Sequence, residues 1–207
     1  MTYGCVLAYL LLSVYHIFFQ KNKRRTKPLL APMAALCHLC AARVPNGWAL
    51  FAFALCCAGD VLLMGKGAAM FRAGGGCFLC ALLVFAWVFA LGLPIRADVF
   101  AVAAAMFAVC MACAMKVAKQ ASASAKAGRK LWSAYLSINS LDCAAALANA
   151  VFLRSAGGWV SFTGACLFFV SDCFLCLKLA RKSQNASAVM LTYTGALLLI
   201  ALGTARV

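Results

Sequence analysis

Eight apolar runs divide the chain, each broken off by a charge, a proline or a cluster of small polar residues. They cover roughly Tyr3 to Phe19, Leu29 to Ala42, Gly47 to Met64, Ala73 to Leu93, Ala97 to Val117, Leu131 to Leu153, Gly157 to Leu177 and Ala186 to Ala205. Most approach the ~20 residues, in a range of about 17 to 25, that let a helix cross a bilayer. The pattern therefore predicts an all-α integral membrane bundle of eight transmembrane helices, forming one transmembrane helical domain over residues 1–207. The second run is the shortest. It contains Pro32 and stops at Arg43 and Pro45, so it needs help from neighbours or from Lys27 reaching outward to the interface. The first run opens at Tyr3 with no basic stretch before it and its positive flank after it, the order expected of an anchor and not of a cleaved leader.

Composition agrees with the pattern. Of 207 residues 67% are apolar and 11% charged, against about 25% charged in a typical soluble domain, which excludes an ordinary soluble globule, a disordered tail and a nucleic-acid-binding module. Nineteen Lys and Arg face four acids, for a net charge of +15. The bases punctuate the apolar runs instead of forming a patch. Fifteen fall in the odd connections and three in the even ones, and by the positive-inside rule the odd connections are cytoplasmic, with both termini on the other side. The Ala-, Ser- and Lys-rich tract from Ala118 to Lys130 reads as a solvated loop of that basic side. The expected surroundings are membrane lipids with anionic headgroups, in the plasma (inner) membrane of a bacterium.

All four acids are Asp, and three lie inside the apolar runs. An Asp near the centre of a spanning helix costs about 2.5 to 3.5 kcal/mol on insertion scales, so each calls for a partner, a water cavity or a function. Asp98 is the exception, beside Arg96 at the very edge of the fifth run, and reads as a solvated loop residue. Asp60 lies near the basic end of the third run and Asp172 near the basic end of the seventh, which puts the two carboxylates at similar depth. The sixth run adds Tyr135, Asn139, Asp142 and Asn149, whose spacing places them on one helical face that must point into the bundle. Thirteen Cys include four C-x-x-C pairs, beginning at Cys37, Cys77, Cys110 and Cys173. The pairs sit at scattered depths and only Cys37-His38-Leu39-Cys40 contains an imidazole. Small thiols suit packed helices, and the expectation is no metal and no cofactor. His16 reads as a packed or interfacial residue.

Several segments resemble one known family. Gly59-Asp60-Val61-Leu62-Leu63-Met64, followed by Phe71 and the run Gly74-Gly75-Gly76, is similar to the third and fourth helices of the YhhN-like lysoplasmalogenase family. Gly164-Ala165-Cys166-Leu167-Phe168-Phe169-Val170-Ser171-Asp172 looks like its Gly-Ala-x-x-Phe-x-x-Ser-Asp pattern, and Met190-Leu191-Thr192-Tyr193 like its last-helix Met-x-Thr-Tyr. Lys27-Pro28 and Tyr135 also fit. The chain departs from the family in two places: Leu82 and Phe85 stand where a His and a Tyr are common in the fourth helix, and Leu197 where a Gln is frequent in the last.

The resemblance implies eight membrane helices and hydrolysis of the vinyl ether bond of lysoplasmalogens to a fatty aldehyde and a glycerophospho-base. It implies Asp60 and Asp172 as the catalytic pair, with a lysophospholipid as the partner. The reaction needs a proton delivered to a carbon and a water delivered to an oxocarbenium, tasks for one carboxylic acid and one carboxylate. Two close carboxylates resist double ionisation and can share a proton, and glycosidases use the same logic. Lys27, Tyr135, Asn139, Asp142 and Tyr193 are the candidate substrate-binding residues. Two alternatives stand beside this reading. One is a small proton- or cation-coupled transporter using Asp60, Asp142 and Asp172 as ion sites; the other is a catalytically silent relative of the enzymes.

Overall fold

The computed structural model describes residues 1–19, 23–122, 129–181 and 186–205. The bases Lys21, Lys126 and Lys182 and the middle of the Ala118 to Lys130 tract lie outside the described residues. Eight α-helices follow one another: α1 Thr2–Phe18, α2 Lys23–Ala41, α3 Gly47–Leu63, α4 Ala68–Ala90, α5 Ala97–Ser122, α6 Arg129–Phe152, α7 Ala156–Arg181 and α8 Ala186–Thr204, with no strand among the described residues. Each corresponds to one apolar run. Where bounds differ the helix usually outruns the apolar stretch, because Lys, Arg and Ala are strong helix formers that prolong it into water. So α2 begins at Lys23 and takes in both Pro28 and Pro32. Pro32 has no N–H for the carbonyl of Pro28 one turn back, and that carbonyl instead accepts the Cys57 thiol of α3 at 3.4 Å.

Four of these helices, and not eight, are long and apolar enough to cross a membrane by themselves. They are Ala68–Ala90, Ala97–Gln120, Ala156–Lys178 and Ala186–Thr204, and they mark a membrane-embedded protein. α1 and α3 are apolar but have 17 residues, about 25 Å at the helical rise, short of a hydrocarbon core of about 30 Å. α2 spends its first turn on bases, and α6 carries the polar stripe. The exposed side chains are largely apolar ones, among them Leu7, Leu11, Phe51, Phe100, Val109 and Leu191, as expected of a surface that meets lipid rather than water.

Consecutive helices pack in pairs, α3 on α4, α5 on α6 and α7 on α8, while α8 returns to α2 and α1 and closes the bundle. Glycines set the closest approaches. A Cβ at Gly59 would lie 2.7 Å from the Phe78 ring and 3.2 Å from the Gly74 carbonyl; one at Gly164 would meet the Ile200 backbone nitrogen at 2.9 Å. Small residues that let backbones approach are a standard device of membrane helices. Here they seat α3 against α4 beside Asp60, and α7 against α8 eight residues before Asp172. Gly67, at φ +103° in the short turn from α3 to α4, supplies a left-handed conformation that a side chain would strain.

The core is aromatic and aliphatic, with Phe53, Phe85, Phe89, Phe168, Leu82, Leu136, Leu197 and Ile200 nearly inaccessible. Away from the basic end, His38 and Asn149 are tied to backbone groups of neighbouring helices. His38 accepts the Asn46 backbone N–H at Nε2 and therefore presents an Nδ1–H to the Ala201 carbonyl and Thr204 hydroxyl, each at 3.1 Å. Asn149 donates to the Phe89 carbonyl at 2.8 Å. These contacts join α2, α3 and α8, and α6 to α4.

Candidate active site

Asp60 is one turn from the end of α3 and 1% exposed. Its Oδ1 pairs with the Lys27 ammonium of α2 at 3.0 Å, and its Oδ2 accepts the Tyr193 hydroxyl of α8 at 2.8 Å. Gly59, by leaving room for Phe78, is what lets α4 stand close beside it. Asp172 sits at the same end of the bundle on α7. Its Oδ2 accepts the Asn139 amide of α6 at 2.6 Å, and the Tyr135 hydroxyl, one turn earlier on α6, is a second hydrogen-bonding neighbour. Ser171 donates to the Val189 carbonyl of α8 at 3.0 Å and fixes the α7 backbone immediately before Asp172.

The similar depth expected for Asp60 and Asp172 becomes a shared space. A cavity of about 240 Å³ is bordered by both carboxylates together with Lys27, Tyr135 and Tyr193. α3 and α7 are not main packing partners; each carboxylate is held across the cavity by a tyrosine from a different helix. Phe78, Phe168 and Tyr193 meet edge to face, with ring centroids 5.6 to 6.4 Å apart. They give the polar pair an apolar wall.

Of the remaining candidates, Asn139 is off the cavity wall and reaches the site through Asp172. Asp142 lies a turn further from the basic end, fully buried, with neither oxygen hydrogen-bonded. Asn149 belongs to the opposite end. The expected inward stripe of α6 is there, since all four of its polar residues are buried, but it serves several places. Asp98 is in the first turn of α5, half-exposed, and pairs with Arg96 at 2.7 Å.

Two bordering residues are not among the site candidates of the sequence, which reads His16 as a packed or interfacial residue and Lys178 as one of the loop bases. His16, at the end of α1, bonds the Thr26 hydroxyl at 2.7 Å and faces the cavity, and Lys178 borders it from α7. Nothing in local spacing marks either one, because both owe their place to helix ends that converge only in the fold. Among the described residues no three His, Cys or acidic side chains converge as metal ligands. The thirteen cysteines are free thiols, and within the C-x-x-C pairs Cys37, Cys110 and Cys176 are buried while Cys80 and Cys113 are exposed.

Against models of known families, residues 22–204 match the YhhN family. The chain belongs to the YhhN family. Comparison with curated proteins and comparison with solved structures each returned no match. The YhhN match begins after α1, so Tyr9, whose hydroxyl donates to the Thr194 carbonyl at 2.8 Å, and His16 are added to the site region from outside the matched stretch. The residues carrying the YhhN-like motifs, Lys27, Asp60, Tyr135, Asp172 and Tyr193, all border one cavity. The departures from the family pattern do not. Leu82, Phe85 and Leu197 are wholly buried in the hydrophobic core and none lines the cavity. The polar groups around the carboxylates come from other positions.

Proposed function

We propose that this chain is a lysoplasmalogenase-like hydrolase in which Asp60 and Asp172 cleave the vinyl ether bond of a single-chain alkenyl phospholipid. The observation that carries the reading is the placement of both buried carboxylates on one cavity at the basic, membrane-interface end. Family membership supports the hydrolase class. All eight helices are embedded in this reading, the short α1 and α3 and the more polar α2 and α6 being shielded by the others. The basic end faces the cytoplasm, and one multi-pass domain makes up the whole bundle.

The partners divide the roles. Lys27 holds Asp60 as a carboxylate, while Asp172 has no cation within ion-pair distance among the described residues and is the group that carries the proton. Asp172 delivers that proton to the alkene carbon remote from the ether oxygen, leaving an oxocarbenium at the carbon that bears it. Asp60 takes a proton from water as the water oxygen bonds to that carbon. In the hemiacetal the hydroxyl proton passes to Asp172, the carbon–glycerol oxygen bond breaks, and Asp60 returns its proton to the leaving oxygen. One water is consumed and both carboxyls are restored. Tyr135 and Asn139 orient Asp172, and Tyr193 orients Asp60. Proton delivery of this kind contributes roughly 10² to 10⁴ in rate.

The test is turnover by the purified, membrane-reconstituted protein of alkenyl lysophospholipids in heavy water. The expected product is a fatty aldehyde with one deuterium on the carbon next to the carbonyl. Absence of aldehyde, accompanied by proton-linked uptake into proteoliposomes, would sink the hydrolase reading in favour of transport.

A further inference from the structure

A second cavity, of about 220 Å³, adjoins the first and shares Leu63, Phe78, Tyr135 and Leu175 with it. Its own walls are Phe71, Gly75, Gly76 and Leu79 of α4 and Trp132 of α6, with Arg72 alongside. It is almost wholly carbon-lined and lies at the basic end, where α4 and α6 begin. An Arg and a Trp are the residue types that settle at the lipid headgroup level.

The two glycines are the informative feature. Gly74 is needed for packing, since a Cβ there would meet Leu63 at 2.8 Å and the Gly59 carbonyl at 3.1 Å. Gly75 and Gly76 have no such reason, for a Cβ on either would find nothing within 4 Å. Glycine is among the poorest residues for a helix interior, and here two in succession keep open space in the wall of an apolar slot.

We infer that this slot is the hydrocarbon-chain subsite: it takes the single chain of an amphiphile whose anionic phosphate head sits in the carboxylate cavity, and Gly75 and Gly76 set the chain it accepts. Continuity decides the occupant. A chain in the slot leads past Phe78 and Tyr135 directly to Asp60 and Asp172, so the bond nearest the head is presented to the carboxylates. Charge agrees, because Lys178 beside the first cavity is in no ion pair among the described residues and suits a phosphodiester. The inference rests on the proposed function for the identity of the scissile bond, but not for the binding of the chain.

The experiment is therefore a binding measurement with lipids that cannot be hydrolysed, the saturated 1-O-alkyl lysophospholipids with octadecyl and with hexyl chains. Parent, Gly76→Leu and Gly75→Leu proteins are compared in nanodiscs, with the smaller change Gly76→Ala guarding against misfolding. The leucines should weaken octadecyl binding about tenfold or more by filling the slot and leave hexyl binding within about twofold. Equal losses for both chains, or no loss for either with the proteins folded, would overturn the subsite. If the leucines shift chain preference while the parent releases no aldehyde from alkenyl lipids, the subsite stands and the hydrolase reading falls.

Discussion

The two ends of the bundle each have a cavity, and the larger is not the one that gathers the acids. The one at the end opposite the bases is the larger, about 730 Å³, bordered by Arg43, Asn46, Asn149 and Thr204 with no carboxylate. Its neighbouring imidazole, His38, has both ring nitrogens engaged by the protein. The cavity at the basic end is a third of that volume, yet two carboxylates, two lysines and a second imidazole face it. At both ends polar groups are held by neighbours while facing open space, Asn149 and Thr204 at one and Asp60 and Asp172 at the other. What differs is the chemistry of the groups: only the smaller cavity is faced by carboxylates beside lysines and an imidazole.

The comparison can be broken most severely at Lys27. Removing the cation from a buried pair leaves an uncompensated charge, and Lys27→Ala should cost about 3 kcal/mol, the low end for such pairs because the lysine is partly exposed. Adding Asp60→Asn should restore much of the loss, as thermal unfolding in one detergent will register. Retained stability in the single variant would mean that the pair does not form. His38→Ala should cost about 2 kcal/mol through its stranded partners, while the folded fraction keeps the parent rate of aldehyde release. A rate loss beyond the folded fraction would erase the distinction between the ends. Tyr193→Phe should do the reverse, lowering the rate about tenfold with a stability change of about 1 kcal/mol. Asp142→Asn is the smallest: its carboxyl is off the cavity and has no hydrogen bond to lose, so rate and melting temperature should barely move.

Much of this was legible in the chain. The eight runs located eight helices, because apolar length and breakers act locally. Asp60 and Asp172 stood out because an acid in an apolar helix is costly wherever it packs. What escaped was set by convergence. No periodicity could show that α3 and α7 are held apart with α8 and α6 bridging to their carboxylates, nor that His16 and Lys178 meet the same cavity from helix ends. Length and composition alone mark a crossing for only half the helices. A 17-residue helix, or one with a polar stripe, relies on neighbours for what α4, α5, α7 and α8 have in their own length.

The central claim is that Asp60 and Asp172 act as one acid–base unit across a shared cavity. It is tested most directly by aldehyde release from an alkenyl lysophospholipid in nanodiscs, measured for the parent, Asp60→Asn, Asp172→Asn and the double variant, each verified as folded. Groups that act together are strongly non-additive. Each single change should lower the rate by about 10³, and the double change should lower it little further. Folded single variants that hydrolyse at the parent rate, or losses that multiply in the double variant, would contradict the account.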